Sequence, residues 1–133
     1  MENKKIYVLV GYIYPNKPQI YKLLKKIGVR GVKCVFMSSF SRIKKVFSYD
    51  NYTGDKIDAI FVGQVPHKTH GTISGSLLSE ISIAEAKVPV YACKTKSGQL
   101  KGTKTALKDA FETHKERSDR NSENINLQDT SEN

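Results

Sequence analysis

Two hydrophobic periods alternate along the chain. Residues 5–11 (Lys-Ile-Tyr-Val-Leu-Val-Gly) are almost uninterruptedly apolar, the pattern of a strand covered on both faces, as in a parallel sheet. Beyond a loop containing Pro15 and Pro18, the residues Ile20, Leu23, Leu24 and Ile27 fall at i, i+3, i+4 and i+7. That spacing is one buried helix face, with Lys22, Lys25 and Lys26 on the opposite side. Pro18 suits the first turn of such a helix and Gly28 its C-terminal stop. Residues 33–37 predict a second strand. Ser38, Ser39 and Ser41 are candidate caps for a short helix over 40–47 that buries Phe40, Ile43 and Phe47. Turn residues fill 50–55, and 58–62 is a third apolar strand.

A long polar loop then leads to Ser76, where a helix to Ala86 places Leu77, Ile81 and Ala84 on one face. Residues 88–93 predict a fourth strand, in which Pro89 marks a strand start or a sheet edge. After a turn at Ser97-Gly98, Thr103 caps a final helix to about residue 115 that buries Leu107, Ala110 and Phe111.

A strand followed by a helix, four times over, predicts a single small α/β domain of Rossmann-like or flavodoxin-like type. It has three layers, a four-stranded, mainly parallel sheet and right-handed crossovers. Two strand orders fit the pattern, 2-1-3-4 and 3-2-1-4. The domain occupies 1–117. In 118–133 the composition turns to Ser, Asn, Asp, Glu and Gln, with Ile125 and Leu127 the sizeable apolar residues. Such a segment buries too little surface to offset its ordering entropy and predicts a disordered acidic tail.

Charge separates these two parts further. The chain of 133 residues carries 22 Lys and Arg against 13 Asp and Glu, a net +9. The tail holds one Arg and four acids, so the body has 21 basic residues against nine acidic, a net +12. Eleven Lys or Arg and no acid lie within 3–49. A field of this sign favours anionic partners, although any single lysine is as well explained as a solubilising surface group. The apolar runs are far shorter than the ~20 residues of a membrane helix, and Glu2-Asn3-Lys4-Lys5 shows no signal pattern. The expectation is therefore a cytoplasmic protein with no membrane partner. Cys34 and Cys93 are too few for a disulfide scaffold or a four-thiolate zinc site and read as small core residues.

In open parallel sheets ligands bind beyond the carboxyl ends of the strands, where the strand order reverses. That rule selects the loops 11–17, 38–42, 63–76 and 94–103. The third stands out for its length. It gathers three glycines, His67, Lys68, His70 and several hydroxyls ahead of a helix N-terminus. Gly63, Gly71 and Gly75 allow backbone amides close to an anion, and Ser74 and Ser76 offer hydroxyl donors. Gln64, Ser39, Arg42 and Lys101 are further candidate ligand contacts, and Tyr12 and Tyr14 in the first loop are candidates to stack on a base.

His67 and His70 also have a spacing that zinc accepts, but no acid or cysteine lies nearby in sequence to complete a site, so no metal is expected. Either histidine suits general acid–base work, with Glu80 as an orienting group. The run Gly98-Gln99-Leu100-Lys101-Gly102-Thr103-Lys104-Thr105 imitates the phosphate-loop motif G-x-x-x-x-G-K-[ST]. It is one residue short between its glycines, and Thr103 intrudes before Lys104. G-x-G-x-x-G is absent as well.

The element order of 5–115 resembles small flavodoxin-like domains, among them the IIB components of sugar phosphotransferase systems. Those carry a phosphorylated cysteine directly after strand one. Here Gly11-Tyr12-Ile13 stands in that place and the first cysteine is Cys34, so the likeness extends to element order and to no motif. The acidic cluster of receiver domains is missing too, since the first acid after Glu2 is Asp50.

These features favour the binding of a nucleotide or similar phosphorylated small molecule at the carboxyl rim, chiefly through 63–76. One alternative is a nucleotide- or phosphoester-processing enzyme using His67 or His70. The other is a nucleic-acid or protein interaction module using the basic body, with the acidic tail as an internal competitor. A homodimer is compatible with the sequence, which names no interface.

Overall fold

The computed structural model describes residues 5–37, 56–64, 85 and 87–131. Among the described residues there are four strands and two helices: β1 (Lys5–Val10), α1 (Lys17–Lys26), β2 (Val32–Met37), β3 (Lys56–Val62), β4 (Val90–Ala92) and α2 (Lys104–Ser131). The strands form one sheet in the order β2-β1-β3-β4, and every pairing is parallel. Of the two orders that fit the sequence, the chain adopts 2-1-3-4. The helices predicted over 40–47 and 76–86 fall mainly or wholly outside the described residues.

The apolar character of β1 follows from its position. It hydrogen-bonds to β2 on one side and β3 on the other, and Val8, Leu9 and Val10 are fully buried. Removing one such side chain from water is worth roughly 1.5–3 kcal/mol. Tyr7 and Leu9 pack on the helix face of the sheet with Ile20, Leu23 and Leu24 of α1 and Leu107 and Phe111 of α2. Ile6, Val8 and Val10 pack on the opposite face with Met37, Ile57, Ile60, Val62 and Leu100.

The alternation in β3 is broken once. The register with β1 shifts after Ile57, where Ile6 pairs with Ile57 but Tyr7 pairs with Ala59. From Ala59 onward the strand alternates helix face, opposite face. Unbroken alternation would place Asp58 on the opposite face. The bulge instead turns Asp58 toward the helices and leaves Ile57 in the opposite core, a common use of such irregularities.

Helix α1 opens on a capping box. Asn16 Oδ1 accepts from the Gln19 N–H at 3.0 Å, and Gln19 Oε1 accepts from the Asn16 N–H at 2.8 Å, which satisfies two otherwise orphaned donors. Pro18 lies in the first turn. At the other end Gly28 adopts φ +86° and donates its N–H to Lys25 O, a conformation that side-chain-bearing residues avoid. Both sheet edges are blunted. The Cys34 N–H of β2 donates to Tyr21 Oη of α1 at 3.0 Å, while β4 has three residues and is preceded by Pro89, whose carbonyl accepts from Ile60 N–H. Short or covered edges resist pairing with other chains.

Thr103 Oγ1 accepts from Ala106 N–H and caps α2. Up to residue 120 its buried positions are Ala106, Leu107, Ala110, Phe111 and His114. The helix then continues to Ser131, through the segment that composition predicts to be without fixed structure. No Gly or Pro interrupts 103–133, and Lys115 pairs with Asp119 one turn on at 3.5 Å. From 115 to 120 no side chain is buried. Among the described residues, no helix is long and apolar enough to cross a membrane.

Candidate functional site

In the order β2-β1-β3-β4 the chain leaves β1 toward β2 on one side and later enters β3 on the other. The reversal therefore lies between the carboxyl ends of β1 and β3. The loops that follow β1, β3 and β4 meet there and are joined by backbone hydrogen bonds. Gly63 N–H donates to Val10 O at 2.8 Å, Tyr12 N–H to Gln64 O at 2.7 Å and Tyr14 N–H to Gly102 O at 2.9 Å. Lys101 N–H donates to Cys93 O at 2.8 Å, which attaches the last loop to the end of β4.

The close approach depends on two glycines. A Cβ on Gly63 would lie 2.6 Å from Tyr12 O and 2.8 Å from Ile13 Cδ1. On Gly102 it would collide with Tyr12 O and stand 3.0 Å from Ile13 Cα. The residues that imitate a phosphate loop thus have another role. Thr95 N–H bonds Gln99 O, and Lys94 bridges Leu100 in antiparallel fashion, so 94–100 is a small hairpin. Gly102 is the point at which the β1 loop passes, and Thr103 is a helix cap.

Upon this fixed backbone stand two exposed rings. Tyr12 is 61% exposed and Tyr14 51%. Their centroids are 4.7 Å apart at 77°, an edge-to-face pair. Lys101 Nζ lies 5.9 Å from the Tyr14 centroid, within the range of a cation–π contact. The exposed Gln64 completes the described part of the rim. Of the residues singled out in the sequence, Tyr12, Tyr14, Gly63, Gln64 and Lys101 are brought together. Ser39, Arg42, His67, Lys68, His70, Gly71, Ser74 and Ser76 lie outside the described residues, as does Glu80. Among the described rim residues there is no carboxylate and no histidine. Their chemistry is that of an aromatic surface with a cation and an amide beside it. Among the described residues, no three His, Cys, Asp or Glu side chains are grouped to hold a metal ion.

A second polar cluster lies outside the loops that the sequence selects. His114, 3% exposed, places Nε2 2.7 Å from Asp58 Oδ2 and Nδ1 2.9 Å from Tyr91 Oη. With Nε2–H donating to the carboxylate, Nδ1 accepts from the Tyr91 hydroxyl. The ring is edge-on to Tyr7 at 5.5 Å and to Phe61 at 6.2 Å. The hydrogen bond from His114 holds the Asp58 carboxyl below the usual aspartate range against the opposing effect of its burial. Burial raises the Tyr7 phenol, and the charge of Asp58 adds to that. This cluster ties α2 to β3 and β4 on the helix face, on the amino side of β3 and away from the rim. Its signals were present in the sequence: an acid within an apolar strand, and a histidine at i+7 from Leu107 on the helix stripe.

The two cysteines are both buried and unpaired. Burial pushes the Cys34 thiol up to about 11 and the Cys93 thiol up to about 12, the opposite of an activated nucleophile. No family model, no curated protein and no solved structure matches the chain.

Proposed function

We propose that the carboxyl rim binds an anionic small molecule carrying an aromatic ring system, of which a nucleotide is the type. The observation that carries this reading is the exposed Tyr12–Tyr14 pair with Lys101 beside it, held by backbone bonds at the reversal between β1 and β3. Concave rims at such reversals are where open α/β sheets bind ligands. A ring stacks on the tyrosine faces, Gln64 offers a donor and an acceptor, and Lys101 meets a phosphate.

Isothermal calorimetry and thermal unfolding against a panel of nucleotides and phosphorylated sugars test the proposal. A ligand at a hundredfold excess over its Kd stabilises the fold by about 2.7 kcal/mol. Tyr14→Ala and Lys101→Gln lower that stabilisation without lowering the melting temperature of the free protein. A panel in which no nucleotide shifts the transition overturns the reading.

A further inference from the structure

Helices α1 and α2 lie on the same face of the sheet, and the groove between them has a volume of about 330 Å³. Each wall carries two lysines one helical turn apart: Lys22 and Lys26 on α1, Lys104 and Lys108 on α2. Among the described residues Asp109 is the one acid in the lining, and the buried Leu23 is its apolar part. Lys108 approaches Glu112 at 3.9 Å with both side chains about two-fifths exposed, which is a weak pair. No carboxylate among the described residues pairs with Lys22, Lys26 or Lys104.

Four ammonium groups in two rows make a particular kind of anion site. Lysine is a mobile point charge without the fork by which arginine clamps one phosphate. The groove is an open trough, and the lysines of each wall are spaced by about 6 Å along the helix axis. Such a site suits separate charges strung along a chain better than one compact phosphate. It also has a direction. Tyr14 stands two residues before Asn16, the cap of α1, and Lys101 two residues before Thr103, the cap of α2. The exposed tyrosine pair therefore sits at the end of the fold where both lysine-bearing helices begin. A basic trough leading to an aromatic surface is the combination that single-stranded nucleic acid requires.

We propose that the groove between α1 and α2 takes the phosphodiester backbone of single-stranded nucleic acid, and that the rim tyrosines stack on one of its bases. The groove's part stands by itself; the base's part rests on the rim reading above.

The test is fluorescence anisotropy with a short labelled oligodeoxynucleotide of mixed sequence, titrated between about 50 and 200 mM salt. Four phosphate contacts give a slope of log K against log salt of about −3 for a single strand. In K22Q/K104Q the slope falls to about half and low-salt affinity drops by about tenfold or more. The control R30Q/K33Q removes the same charge from exposed positions at the amino end of the sheet and shifts affinity less than about twofold.

Equal losses in the two variants, or no oligonucleotide binding at the lowest salt, overturn the proposal. So does competition by poly-glutamate that matches competition by oligonucleotide at equal charge, since the groove would then serve an acidic peptide. If groove variants leave oligonucleotide affinity intact while Tyr14→Ala abolishes it, the groove proposal fails and the rim reading survives. If mononucleotides do not bind but the oligonucleotide depends on the groove lysines, the rim reading fails and the groove survives.

Discussion

Asp58 and His114 are 56 residues apart in sequence and 2.7 Å apart in space, and a single bulge in β3 makes the contact possible. The bulge turns Asp58 to the helix face, where the buried imidazole bridges it to Tyr91. This is a hydrogen-bonded polar cluster within an aromatic core, and it fixes the rotation of α2 against the sheet.

The cluster makes stability depend on acid. The folded-state pKa of Asp58 is lowered, so its contribution is fully present above the unfolded value near 3.8 and is lost as pH falls through that value to the lower folded one. Asp58→Asn should flatten the acid limb of stability against pH relative to the parent, at a cost of about 1 kcal/mol near neutrality. His114→Ala leaves the carboxylate and the Tyr91 hydroxyl without their partner and opens a cavity, so it should cost about 3 kcal/mol. Urea unfolding from pH 3 to 8 measures both. Parallel acid limbs for parent and Asp58→Asn would count against the linkage.

The glycines of the rim give a prediction of coupling. Gly63→Ala and Gly102→Ala each press on Tyr12 O and Ile13, at an expected cost of about 1–3 kcal/mol apiece. Because they displace the same loop, the double variant should lose less than the sum. A double-mutant cycle reads this directly, and strict additivity would contradict the shared contact.

Native thiols should resist alkylation. With burial raising Cys34 to about 11 and Cys93 to about 12, little thiolate exists at pH 8. Iodoacetamide should label neither residue until the protein unfolds in denaturant, as followed by intact mass. Rapid labelling of either cysteine in the native protein would show local opening of the helix face.

The last buried residue of α2 among positions up to 120 is His114. From 115 to 120 no side chain is buried, and a helix segment without packing is marginal in water. Hydrogen exchange should therefore be fast beyond about residue 117, and a chain ending at Arg117 should melt within about 2 °C of the full one. Strong protection of the 118–131 amides would assign that segment to the fold.

The two helix stripes, the strand positions and the edge character of β4 were legible in the sequence, because period and proline placement report burial directly. Ile20, Leu23 and Leu24 are buried as their spacing requires, and Pro89 does precede an edge strand. Strand order was not legible. Local patterns are the same for 2-1-3-4 and 3-2-1-4, and the choice depends on long-range pairing. Asp58 read as part of an apolar run because alternation cannot announce a bulge. Gly102 resembled part of a phosphate loop because sequence shows glycine without showing what passes over it. A rule about where sheets bind ligands singles out Tyr12, Tyr14 and Lys101 as candidates, and their mutual geometry comes only with the fold.

Binding at the rim is read most directly from an amide chemical-shift map of the labelled protein titrated with a nucleotide. A nucleotide at the rim gives saturable shifts concentrated at Tyr12, Tyr14, Gln64, Lys101 and Gly102, with Asp58, Tyr91 and His114 unmoved. Shifts absent from these five residues, or clustered around His114, would contradict it.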